Sequence, residues 1–149
     1  MSDPSPPFVF DPARAAKIMT RHGHGGWLGL DYHAHGQGWV ELALPWREEL
    51  VGNAETGVLA SGPIISLMDN ATSMSVWTRS TNFVPHATLD LRVDYMRAAV
   101  PGKTVIGRGE CYKITRKIAF IRGIAYDGDP DHPVAHVTGT FMATHGTYF

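Results

Sequence analysis

Asp69 is the only charged side chain between Glu55 and Arg79. Its neighbours are Leu67, Met68 and Ala71, and burying an unpaired carboxylate among such residues costs several kcal/mol. Three explanations compete. Asp69 lies on an exposed stripe of a partly buried helix, or pairs with a cation as a structural element, or is a functional carboxylate on an open helix face. In the third case a low-dielectric setting raises the pKa towards general-base duty. The residues before it favour the third. Gly57-Val58-Leu59-Ala60-Ser61-Gly62-Pro63 is a run of mostly small residues leading into a helix start. Unpaired backbone N–H groups and the positive end of the helix dipole gather there and suit a carbonyl oxygen gaining negative charge. Asp69 stands about 9–11 Å further along the axis, too far to share one substrate carbonyl within a chain. A two-fold dimer would bring Asp69 of one copy to the helix start of the other.

The elements that must position these groups follow from periodicity. Over residues 63–79, Ile64, Leu67, Met68, Ala71, Met74 and Trp77 fall at three- and four-residue steps, predicting one long helix. Pro63 fits its first turn. The other faces carry small or uncharged residues, so the helix is expected to be enclosed nearly all round. After Pro85 the period becomes two. Residues 86–97, 104–115, 118–126 and 133–144 read as four strands, joined through Pro101-Gly102, Arg116-Lys117 and Asp127-Gly128-Asp129-Pro130. Before the helix, residues 27–33 and 38–44 read as a hairpin joined by AHGQ, and residues 46–56 as irregular chain. Asp11 and Pro12 can open a short N-terminal helix that the glycine-rich RHGHGG stretch stops; residues 1–10 read as irregular and 11–22 as that helix. The sum is an α+β domain over 1–149, a curved antiparallel sheet of about six strands around one apolar helix.

Composition narrows the function classes. The chain has 149 residues, 44% hydrophobic and 18% charged, as expected of one globular domain. Its net charge of −1 argues against a general nucleic-acid binder. No apolar run is long enough to cross a bilayer, and the start shows no secretory signal. The lone Cys111 suits a reducing cytoplasm. Between Arg92 and Arg122, eight basic residues face two acidic ones; this is either a set of solvated strand faces or a surface for a small polyanion such as the phosphates of coenzyme A.

LASGPIISLMDNA resembles the helix-opening motif of the hotdog-fold acyl-CoA thioesterases, PaaI-like branch, which runs His-Gly-Gly, six residues, then an acid. Ala60, Ser61 and Gly62 stand at the three opening positions, so the spacing matches but two identities do not. ATLDLRVDYMRAAVPGKTVIGRG resembles the family's next strand and turn, with Tyr95, Arg97, Ala98, Ala99 and Gly102 in comparable places, and VAHVTGTFMA its last strand. The resemblance covers about residues 57–143. It implies an acyl-CoA thioesterase working as a homodimer, often paired into a tetramer, with sites at the dimer interface. It implies Asp69 as general base, or less commonly nucleophile, Ser61 and Gly62 N–H groups on the thioester carbonyl, Asn53 near the family's loop asparagine, and Thr88 orienting water. An ordinary turn asparagine and strand threonine are the plainer readings of Asn53 and Thr88. Ala60, Arg97, Arg116 and Lys117 are expected at the substrate, a small aryl- or medium-chain acyl-CoA. No cofactor is expected beyond the coenzyme A of the substrate, and no nucleic-acid or membrane partner.

The histidine pairs His22/His24 and His33/His35 have chelating spacing but no acidic or cysteine cluster beside them, so no metal is expected. His86, His136 and His145 read as structural or exposed. No G-x-S-x-G occurs, and Gly107-x-Gly109 lacks the following helix of a phosphate loop. Trp77, Phe83, Met68 and Met74 line either an aryl pocket or plain core. Two rivals remain, a noncatalytic acyl-CoA binding module and, more distantly, a hotdog dehydratase, whose histidine-proline loop is missing.

Overall fold

The period-two segments fold as strands. In the computed structural model, which describes residues 8–149, these are β5 (His86–Tyr95), β6 (Val105–Ile114), β7 (Ile118–Tyr126) and β8 (Ala135–Ala143). With β1 (Asp31–Gly36) and β2 (Trp39–Leu44) they form one antiparallel six-stranded sheet in the order β1-β2-β6-β7-β8-β5. Strands β5 and β1 are its edges.

The long helix α3 (Ser61–Trp77) lies across one face. It starts two residues before Pro63, which therefore sits in the first turn with no N–H to leave unpaired. Ile64, Leu67, Met68, Ala71, Met74 and Trp77 are buried as their spacing predicts. Thr72 and Ser75 are buried too, because their hydroxyls donate to the Met68 and Thr72 carbonyls of their own helix. Met68 and Met74 are thus core. Phe83 is exposed and stacks against Phe10. The two glycines of β6 explain how closely helix and sheet approach. A Cβ on Gly109 would stand 2.5 Å from the Ala71 and Thr72 backbone, and one on Gly107 2.7 Å from the Leu67 side chain.

The N-terminal third departs from expectation. Helix α1 (Pro12–Met19) is capped by Asp11, whose carboxylate accepts from Arg14 N–H at 3.1 Å. The glycine-rich stretch ends α1 but then forms a second short helix, α2 (Gly23–Leu28), closed by Gly29 at φ 72°. Strand β1 accordingly begins at Asp31, not at residue 27, and its hairpin turns at Gln37 and Gly38. Gly26 permits α2 because a Cβ there would lie 2.9 Å from the Thr20 carbonyl. The segment expected to be irregular contains a 3-10 turn at Glu48–Leu50 and a small hairpin of β3 (Val51–Asn53) and β4 (Val58–Leu59). That hairpin hands the chain to α3, with Ala60 N–H donating to the Leu50 carbonyl at 2.9 Å.

Candidate functional site

Strand β5 runs antiparallel alongside α3, and three side-chain links mark the alignment. Ser73 Oγ lies 2.7 Å from His86 Nε2, Thr88 Oγ1 donates to Asp69 Oδ1 at 2.8 Å, and Tyr95 OH donates to the Ser61 carbonyl at 3.0 Å. A bulge between Thr88 and Asp90 resets the strand's register. It lets Thr88 reach the helix while Leu91 and Val93, further on, pack against the core.

Asp69 is half-buried, and among the described residues no cation lies within ion-pair reach. The structural ion pair weighed from sequence has no partner among the described residues of the chain. Among the described residues its one side-chain partner is the Thr88 hydroxyl, a link that also brings these two residues named from sequence to one place. His86 was missed as part of this wall. It stacks on Trp77 with centroids 4.4 Å apart and packs against Phe141 at 4.9 Å. Burial pushes its pKa down to about 4, so the ring is neutral at pH 7. Its Nδ1 is buried without a partner among the described residues.

At the other end, Ser61 and Gly62 are exposed in the first turn of α3, and a Cβ on Gly62 would meet only open space. Their backbone N–H groups belong to the unpaired set that begins every helix. Ala60 precedes them without a side-chain cap. Asn53 ends β3, where its Oδ1 accepts from the N–H groups of Glu55 and Thr56 at 3.0 and 3.3 Å. It is a turn asparagine near the helix opening. Within one chain Asp69 and this opening stay apart by the length of about two helical turns.

The basic residues divide. Arg97 is engaged by both oxygens of Asp127 and by the carbonyls of Ala98 and His132, and this pairing holds the Asp127 carboxyl below the usual carboxylate range. It clamps the β5–β6 and β7–β8 connections together. Arg116 and Lys117 are exposed in the β6–β7 turn, next to the C-terminal tail and therefore at the far end of α3 from Ser61. Among the histidines, His24 bonds Ser66 and His35 bonds Tyr32, and the described residues contain no group of three metal-ligating side chains. No helix among them is long and apolar enough to cross a membrane.

One long helix held against a curved antiparallel sheet, with a lone carboxylate between helix and edge strand, is the hotdog arrangement. A profile of the thioesterase superfamily matches residues 56–134, and the chain belongs to that family. A Pseudomonas aeruginosa protein of known structure is 40% identical, over 88% of this chain and 97% of that one, with a TM-score of 0.78. A mutant of the phenylacetic acid degradation protein PaaI from Thermus thermophilus is 25% identical, over 79% of this chain and 96% of that one, at a TM-score of 0.68. The Escherichia coli PaaI protein, from the phenylacetic acid degradation operon, shares the fold at 15% identity, with 89% and 92% coverage and a TM-score of 0.75. No match is found among curated proteins.

Proposed function

We propose that the protein hydrolyses the thioester of a small aryl- or medium-chain acyl-CoA, with Asp69 as general base at a site shared between two copies of the chain. The observation that carries this reading is the half-buried Asp69 carboxylate, unpaired with any cation among the described residues and held by Thr88 on an edge strand. The Ser61 and Gly62 N–H groups of one copy polarise the thioester carbonyl. Asp69 of the other copy takes a proton from water as that water attacks the carbonyl carbon, and the thiolate of coenzyme A leaves. Asn53, in the hairpin before the helix opening, has an Nδ2 amide with no bond among the described residues and is available to the carbonyl or the water.

The edge strand supports the pairing of copies. Strand β5 is ten residues long with one side unpaired, and Leu89 and Met96 on or beside it are 55% and 61% exposed. An edge of that length calls for a cover, and two-fold addition of a second β5 provides one; the dimer can pair again into a tetramer. Arg116 and Lys117, exposed and without an ion pair among the described residues, serve the coenzyme A phosphates, since Arg97 is committed to Asp127. Coenzyme A enters with the substrate, and no further cofactor takes part.

Ala60 and Ser61, where the family carries His-Gly, favour one second reading, a module that binds acyl-CoA without turnover. A panel of acyl-CoAs with a thiol reagent separates the two. Thiol release by the wild type should fall at least roughly 100-fold in Asp69→Ala. Equal rates in both proteins would remove Asp69 from the mechanism, and binding without release in either would leave the binding module.

A further inference from the structure

We infer that the acyl end of the substrate is housed beneath α2, in a cavity beside Ala60, and that Trp27 limits its length. The inference rests on the thioesterase reading for the identity of the ligand. The cavity has a volume of about 220 Å³ and is walled by Trp27, Leu28, Leu50, Val51, Ala60 and Pro63. The exposed His24 and Glu49 stand at its rim. An apolar wall with a polar mouth is the chemistry of a hydrocarbon pocket opening on water.

Its place links it to the reaction. Ala60 and Pro63 bracket Ser61 and Gly62, whose N–H groups receive the thioester carbonyl in the reading above. An acyl carbon bonded to that carbonyl stands at the pocket mouth. The side chain at position 60 ends at a methyl group, so the space a larger residue would fill is open to substrate.

Trp27 forms part of the wall of this space and has little other work. It is 58% exposed. It is held by Arg47, whose guanidinium donates to the Trp27 carbonyl and sits 5.8 Å from the ring. His24, one turn earlier, is fastened to α3 through Ser66 Oγ at 3.0 Å and stacks towards Trp27. Helix α2 is thus one side of the cavity, fixed by polar contacts. The pocket beneath it takes a benzene ring or a short chain, and a long chain must displace the indole.

The test compares wild type with Trp27→Ala and Ala60→Leu on hexanoyl-, phenylacetyl- and decanoyl-CoA. In parallel, calorimetry measures binding of the matching S-alkyl coenzyme A thioethers. Trp27→Ala should raise the decanoyl-to-hexanoyl ratio of kcat/KM by about tenfold, and Ala60→Leu should lower kcat/KM for phenylacetyl-CoA by a similar factor. The thioether affinities should shift the same way. Unchanged ratios and affinities in a folded Trp27→Ala protein would overturn the inference, and that variant decides the matter alone if Ala60→Leu does not fold. A wild type that releases no thiol would remove the hydrolase reading, and the thioether affinities would still decide whether the pocket selects by length.

Discussion

The Thr88 hydroxyl donates to Asp69 Oδ1 at 2.8 Å, and this one bond spans the gap between edge strand and helix where the carboxylate is held. It fixes the rotation of the carboxylate and leaves Oδ2 for water. A hydrogen bond to a charged group that is part-solvated contributes about 1 kcal/mol. Thr88→Val should therefore lower kcat about 5- to 10-fold with KM little changed, and Thr88→Ser should restore most of the loss. A KM effect with kcat intact would assign Thr88 to substrate binding.

The central helix and its carboxylate were legible because they are local. The three- and four-residue apolar steps and the isolation of Asp69 lie within one short window. The four later strands were legible for the same reason, through period two and turn residues. Helix α2 was not, since Gly23, Gly25 and Gly26 lower helix propensity, and the φ of 63° at Gly23 and the close approach of Gly26 to the Thr20 carbonyl emerge only in the fold. Nor was the engagement of Arg97, whose Asp127 partner is 30 residues away. The facing of His86 and Ser73 depends on how β5 lies along α3, which no local pattern specifies. The pair Gly107 and Gly109 was visible as a pattern, but its meaning as the bed of the helix needed the packing.

That bed gives a stability prediction. A methyl group at position 109 meets helix backbone at 2.5 Å, which no rotamer change relieves. Gly109→Ala should cost at least about 2 kcal/mol through overpacking and lower the melting temperature by roughly 5 °C or more. Gly128→Ala is the control, because an added Cβ there meets only the Lys103 ammonium at 4.0 Å. Calorimetric melting of both proteins checks it; an unshifted Gly109→Ala would mean that α3 can lift from β6 at little cost.

The proposed pairing through β5 makes a coupled prediction. Leu89 sits at the bulge of this edge, 55% exposed in the single chain. A carboxylate there would be buried against its two-fold mate, so Leu89→Asp should sediment as a monomer. Because the helix opening and Asp69 would then lie on separate particles, thiol release should fall with the dimer fraction. A monomeric variant with full activity would show that one chain holds the whole site.

His86 sets a pH dependence of folding. Its folded pKa is about 4 against an ordinary 6.5, because burial disfavours the imidazolium. Above pH 6.5 the ring is neutral in both folded and unfolded chains, and its full contribution to stability is present. As the pH falls from 6.5 to about 4, the unfolded chain takes up a proton that the folded chain refuses, and stability drops; below about 4 the loss levels off. Discounted for the solvent that reaches this half-buried ring, the loss is about 2 kcal/mol. Among the described residues no charged group offsets it, and Ser73, Trp77, Phe141 and Tyr148 lie against the imidazole. Urea unfolding at pH 7 and pH 4.5 should show this extra loss in the wild type and not in His86→Phe, whose ring can keep the stack on Trp77 without titrating. Equal acid sensitivity in the two proteins would place the titration elsewhere.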